Sequence, residues 1–184
     1  QQVLTFNPYQ ITLQPLQGTG AGDDFIQSFT DSRDRVWVGT FRKGIYLKDG
    51  DKVSHFMQED VPNKDIDYNI VRDFAEDHQH QIWVCYHGGV GRFDEKAKRI
   101  FPLQNKLFVG NTNINSIVFD RQHRLWAATS KGLIVGNQLK LKAVCKTLAI
   151  DKQGWIWVGT MNGVYAFDIQ NGKTYRYGKE EGMT

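Results

Sequence analysis

One ten-residue phrase occurs four times in this chain, at 31–40 (DSRDRVWVGT), 77–86 (DHQHQIWVCY), 120–129 (DRQHRLWAAT) and 151–160 (DKQGWIWVGT). Each copy opens on an aspartate (Asp31, Asp77, Asp120, Asp151). A tryptophan follows six residues later (Trp37, Trp83, Trp126, Trp157), and a small apolar or glycine residue two after that. A phrase that recurs at this scale makes the chain a row of similar units and argues against one irregular enzyme domain.

Around each phrase the apolar residues alternate. Before the aspartate runs a first strand, a, at 25–29, 70–74, 114–119 and 147–150. The aspartate then opens a polar turn, a role its carboxylate performs by accepting backbone N–H groups two or three residues on. Strand b carries the tryptophan between apolar neighbours. A turn with Gly44, Gly89, Gly132 or Gly163 leads to a short strand c that ends at Asp49, Asp94, Asn137 or Asp168, and strand d follows. Period-2 patterns bounded by Gly, Asp and Asn predict four strands per unit, and no segment has a helical period.

Three intervals, 46, 43 and 31 residues, separate the four tryptophans. The first two are near the length of a four-stranded propeller blade. In the third, strand d runs almost directly into the next strand a. The fold expected is therefore all-β, with about four four-stranded antiparallel β-propeller blades, each tryptophan a wedge between neighbours. Trp155 breaks the pattern and is expected on the opposite face of its strand. The divisions read as 1–22, an orphan outer strand and linker; 23–64, blade 1; 65–110, blade 2; 111–143, blade 3; and 144–184, blade 4 and a linker. Residues 11–16 read as a strand d with no repeat before it, so the blades are expected to come from a longer array. A closed four-blade ring is the alternative.

Composition narrows the function. A net charge of +3 with no run of like charges gives no reason to expect nucleic acid. No apolar run of 18 residues is present to span a membrane. Cys85 and Cys145 are two only, in predicted strands, and are expected as buried thiols. His78, His80 and His123 lie on equivalent turns and could approach one another, yet they read as solvated turn residues and no metal or cofactor is expected. No catalytic residue is assigned, because no nucleophile–base set or phosphate loop is visible. The inner strands offer Ser28, Asp73, Asn115 and Thr147, poor material for chemistry.

The phrase, with Asp151 to Val164 matching almost position for position, resembles the signature of two-component regulator propeller repeats. Asp34, His80 and His123 stand where that signature has the glycine seen at Gly154. The resemblance covers roughly 23–184. It implies part of a larger, seven-bladed propeller in the periplasmic sensor region of a membrane-anchored hybrid histidine kinase of the Bacteroidetes type. It further implies an oligosaccharide ligand and signalling to genes of polysaccharide degradation through domains outside this chain, while the exposed faces of an open fan of blades lead one to expect a homodimer. The Asp-box of sialidases is the rival motif, but its acid-to-tryptophan spacing is five where here it is six. WD-type repeats would place an aspartate after the tryptophan.

Ligand contacts are expected on the face made by the b–c and d–a connections, which vary between copies as binding loops on a rigid scaffold do. The candidates are Arg42, Lys43, Tyr86, His87, Lys131, Asn162, Tyr68 and Asn69, with Asp65, Asp67, Asn111 and Asn113 nearby. Rings could stack on sugars, and the cations would suit an acidic group. A propeller lyase or glycosidase and a protein-interaction scaffold are the alternatives.

Overall fold

A computed structural model describes residues 3–7, 10–14, 24–59, 66–104, 107–108 and 113–178. Strands β1 (Val3–Asn7) and β2 (Gln10–Gln14) pair as an antiparallel hairpin, where the sequence suggested one outer strand. Four four-stranded antiparallel meanders follow. Blade 1 comprises β3 (Phe25–Thr30), β4 (Val36–Thr40), β5 (Ile45–Asp49) and β6 (Lys52–Phe56). Blade 2 comprises β7 (Asp67–Glu76), β8 (Ile82–His87), β9 (Gly89–Asp94) and β10 (Arg99–Pro102). Blade 3 comprises β11 (Ile114–Phe119), β12 (Leu125–Thr129), β13 (Leu133–Val135) and β14 (Gln138–Leu141). Blade 4 comprises β15 (Cys145–Ile150), β16 (Ile156–Thr160), β17 (Gly163–Asp168) and β18 (Lys173–Tyr177). The described residues contain no helix, and the blades form an unclosed propeller.

The recurring phrase builds one small device four times over. In each copy the aspartate Oδ2 accepts the tryptophan indole Nε1–H, at 2.9 Å in blade 1, 2.8 Å in blade 2, 2.7 Å in blade 3 and 2.8 Å in blade 4. Its Oδ1 accepts two backbone amides, those of Arg33 and Arg35 in blade 1 and their equivalents elsewhere. One carboxylate thus closes the a–b turn and fixes the ring. The fourth residue of each turn has positive φ: 59° at Asp34, 59° at His80, 63° at His123 and 91° at Gly154. Only the last copy has glycine, which adopts this conformation freely; the others bear a cost of about 1–2 kcal/mol each.

Held in this way, the indoles fill the gaps between blades. Trp37, fully buried, meets Phe74 and Phe93 of blade 2 at ring separations of 6.2 and 5.5 Å. Trp83 meets Phe119 of blade 3 at 5.7 Å, and Trp126 meets Phe167 of blade 4 at 5.6 Å. Burying such a ring removes about 150–250 Å² from water, and three blade interfaces repeat the gain. In the first two copies the residue two beyond the tryptophan lies where the next inner strand passes. A Cβ on Gly39 would lie 2.6 Å from Cγ1 of Val71, and the Cys85 Sγ–H reaches the Ile114 carbonyl at 3.2 Å.

Trp157 differs. It is half-buried and stacks within its own blade on Tyr177 at 6.0 Å. Trp155 stacks beside it at 6.5 Å, with the rings inclined by 25°. This corrects the expectation that Trp155 faces the other way, since residues two apart on a strand share a face.

Substituting Asp120 with alanine orphans the Trp126 indole and two backbone amides. An unfolding free energy about 2–4 kcal/mol lower is expected in urea titration; a loss under about 0.5 kcal/mol would contradict the role given to the carboxylate. Acid gives a second check. At Asp31 and Asp120 burial opposes ionisation, but the indole, the two amides and the arginine outweigh it, so both pKa values lie below the ordinary aspartate value. At Asp151 the Trp157 indole leads in the same direction. Groups depressed in the folded state contribute stability above their unfolded pKa and lose it as pH falls through the folded one. Stability is therefore expected to drop below about pH 4, read as a falling melting temperature.

Candidate ligand-binding face

The b–c turns are built by the threonine of the phrase. Thr40, Thr129 and Thr160 donate Oγ1–H to the carbonyls of Gly44, Gly132 and Gly163. The same oxygens accept the backbone amides of Lys43, Lys131 and Asn162. The glycine is required here twice over. Gly44 has φ 69°, and a Cβ on it would lie 2.1 Å from the Phe56 carbonyl oxygen. Each turn is thus rigid and lifts one side chain onto the face.

Arg42, Lys43, Lys131 and Asn162 are exposed on this face, and His87 is half-buried. Arg42 has φ 71° and lays its guanidinium over the Phe41 ring at 5.0 Å. The His55 Nε2 meets the Lys43 carbonyl at 2.6 Å, and the His55 ring stacks on Tyr46 at 4.1 Å. Asp67 pairs with His87 across the sheet. Asp65 and Asn111 lie outside the described residues.

Three of the expected contacts are occupied elsewhere. Tyr68 and Tyr86 are only 5% and 2% exposed and pack together at 4.8 Å. They belong to the core between blades 1 and 2, and burial pushes the Tyr86 hydroxyl far above its ordinary pKa. In blade 2 a tyrosine stands where the other copies have threonine, and its bulk goes inward. Asn69 acts as a clamp: Oδ1 accepts the Gln58 amide, Nδ2 donates to the Gln58 carbonyl, and its own carbonyl accepts the Gly44 amide. The structure thus places the two tyrosines in the core, where their rings are closed to a ligand, and gives the Asn69 side chain to this clamp.

The inner strands hold what the sequence reading only partly found. Each strand a carries a β-bulge, at Ile26, Arg72, Asn115 and Lys146, beside the end of strand b that leads into the b–c turn. The bulge shifts the register, so the residues that link the blades are Gln27, Asp73 and Ser116. Gln27 Nε2–H donates to Asp73 Oδ1 at 3.2 Å, Ser116 Oγ–H donates to Asp73 Oδ2 at 2.6 Å, and the Leu148 amide donates to Ser116 Oγ at 3.2 Å. One relay therefore crosses all four blades. Asp73 also accepts the amides of Phe74 and Ile117. Burial pushes its pKa above the ordinary aspartate value, against the pull of these donors. Asn115 donates to the Cys145 carbonyl at 2.8 Å, while the Arg72 Nε is buried with no acceptor among the described residues. Alternation alone does not reveal a bulge, and of the inner-strand residues that the sequence offered, Ser28, Asp73, Asn115 and Thr147, only Asp73 is in the side-chain relay.

On the opposite face His78 and His123 come together, their rings 3.8 Å apart. His80 turns away to Glu76 and Ser32, at 3.0 and 2.9 Å. No group of three metal-ligating residues forms among the described residues.

Two segments, 109–131 and 139–162, match the family model described as two component regulator propeller. They contain the third and fourth copies of the phrase. No curated protein sequence matches the chain. Among solved structures, the extracellular domain assigned to a hybrid two component system of B. thetaiotaomicron gives a TM-score of 0.68 at 19% identity, covering 99% of this chain and 25% of its own. Virginiamycin B lyase from Staphylococcus aureus gives 0.69 at 12% identity, covering 94% and 61%. An auxiliary nutrient binding protein from Bacteroides ovatus gives 0.61 at 10% identity, covering 84% and 42%. The chain spans about a quarter of the length of the two-component extracellular domains it resembles. At these identities the likeness is one of fold.

The relay yields a prediction that separates an acceptor hub from a mere polar spacer. Both Asp73 oxygens face backbone amides, so an amide group in Asp73→Asn must point a donor at a donor. The near-isosteric change is expected to cost about 1–3 kcal/mol in denaturant titration. A neutral result would mean that the carboxylate is not the hub of the relay.

Proposed function

We propose, from the two segments that match the two component regulator propeller model, that the chain is part of the ligand-sensing, extracytoplasmic region of a membrane-anchored sensor histidine kinase of the hybrid type. The observation that carries the reading is the coincidence of two repeat matches with a propeller fold that aligns over 99% of the chain with such an extracellular domain. The location is periplasmic. The kinase, the remaining blades and the membrane anchor belong to the longer parent protein.

The ligand is an oligosaccharide released from a polysaccharide, and it binds the face presented by Arg42, Lys43, His87, Lys131 and Asn162. Support for this comes from the chemistry of the face: cations, an imidazole and an amide on turns fixed by threonine and glycine. Rigid turns lower the ordering cost of binding. Signalling requires the ligand to prefer one arrangement of a homodimer over another, because equal affinity for both shifts nothing.

A propeller enzyme is the second reading, favoured by the fold shared with virginiamycin B lyase. Fold alone does not carry chemistry. A glycan-array screen of the complete extracytoplasmic region separates the readings. Saturable binding of one oligosaccharide class without turnover is expected, weakened at least about tenfold in Arg42→Ala if its guanidinium donates charge-assisted bonds. Cleavage of a glycan would overturn the sensor reading, and absence of both binding and cleavage would favour a protein-interaction scaffold.

A further inference from the structure

An arginine stands four residues after the turn aspartate in two of the blades, Arg35 in blade 1 and Arg124 in blade 3. The near halves of the two side chains are alike. Each Nε–H donates to its aspartate Oδ2, at 2.8 Å from Arg35 to Asp31 and 2.7 Å from Arg124 to Asp120. Each guanidinium lies over its tryptophan, 5.2 Å from the Trp37 ring and 5.8 Å from the Trp126 ring.

The far halves are not alike. Arg35 donates Nη1–H and Nη2–H to the two oxygens of Glu95 at 2.8 and 3.0 Å, and its side chain is 6% exposed. Glu95 follows Asp94 at the end of strand c in blade 2. The equivalent of Asp94 in blade 4 is Asp168, as the matching contacts of Trp37 with Phe93 and Trp126 with Phe167 establish. The residue after Asp168 is Ile169. The terminal nitrogens of Arg124 therefore meet no carboxylate among the described residues, and its side chain is 41% exposed.

A cleft of about 230 Å³ opens at this point between blades 3 and 4. Arg124, Lys140, Lys173, Ile169, Phe167 and Trp126 line it. Asp168 lines it too, but spends its oxygens on the Asn171 side chain and on the amides of Gln170 and Asn171. Against the three cations Arg124, Lys140 and Lys173 stand Asp168 in the lining and Asp120 bonded to Arg124, which leaves one positive charge. Planar guanidinium donors pair best with a two-oxygen acceptor, and the Arg35–Glu95 pair shows that acceptor in place two interfaces earlier.

We propose that the cleft between blades 3 and 4 binds the carboxylate of a small acidic ligand, which takes the place that Glu95 fills between blades 1 and 2. The volume is below the roughly 300–1,000 Å³ of drug-sized pockets, so one compact unit fits, such as a uronate ring or a short dicarboxylate. The cleft lies on the a–b and c–d side, away from Arg42 and Lys131, and does not depend on a saccharide binding there.

The intact protein is titrated with sodium glucuronate, sodium malonate and neutral glucose, with the Trp126 indole N–H and the Ile169 amide followed by NMR. Saturable shifts with one or both acids and none with glucose are expected. Malonate as effective as glucuronate would mean that the carboxylate alone is read; glucuronate alone would identify an acidic sugar. Ile169→Glu supplies the carboxylate from the chain and is expected to abolish binding. Lys173→Gln, at an exposed position, is expected to weaken it about threefold, and keeps the test open should the first variant fail to fold. No shift with either acid, an equal response to glucose, or unchanged binding in the folded variants overturns the proposal.

Discussion

The aspartate–tryptophan hydrogen bond is the interaction on which this structure is built. A polar turn and an apolar wedge have opposite solvent preferences, and the bond joins them at a fixed distance. The aspartate Oδ1 holds the turn backbone while Oδ2 aims the indole at the next blade. The same atoms do the same in all four copies, and in the first three the indole meets an aromatic ring of the next blade. In the first two copies the residue two beyond the tryptophan, the next position on the same face, lies where an inner strand passes.

Repetition leaves two kinds of position free to vary. The first is the lifted residue of each b–c turn, whose backbone is held by threonine and whose side chain is not needed for packing. The second is the pairing at the outer ends of the interfaces. Glu95 closes one such end with a bidentate arginine pair, and Ile169 leaves the equivalent end open. A repeat protein can in this way carry different chemistry at equivalent places without altering its core. The inner relay through Gln27, Asp73 and Ser116 is a third difference between the copies, and here the variation serves cohesion.

Most of the fold was legible because the phrase records physical requirements directly. An acid six residues before a tryptophan spans one turn, and the alternating strands declare their buried faces. What was not legible depended on register or on competition for one side chain. A bulge adds one residue to strand a, at Ile26 and at Asn115, and alternation did not show that Gln27 and Ser116 are the residues that reach Asp73. Tyr68 and Tyr86 lie in segments that read as loops, yet their bulk belongs to the core. Asn69 reads as a polar loop residue, and its bonds go to Gln58. The contrast between Glu95 and Ile169 was present in the sequence, but only the paired contacts of Phe93 and Phe167 show that the two positions correspond.

A double-mutant cycle on Asp120 and Trp126 addresses the organising interaction most directly. Trp126→Phe removes the indole donor and keeps most of the wedge, while Asp120→Ala removes the acceptor. If the bond couples turn to wedge, the two losses are non-additive, with a coupling energy of about 1–2 kcal/mol in denaturant titration. Additivity within about 0.3 kcal/mol would mean that the turn and the ring stand independently, and would contradict this view of how the blades are joined.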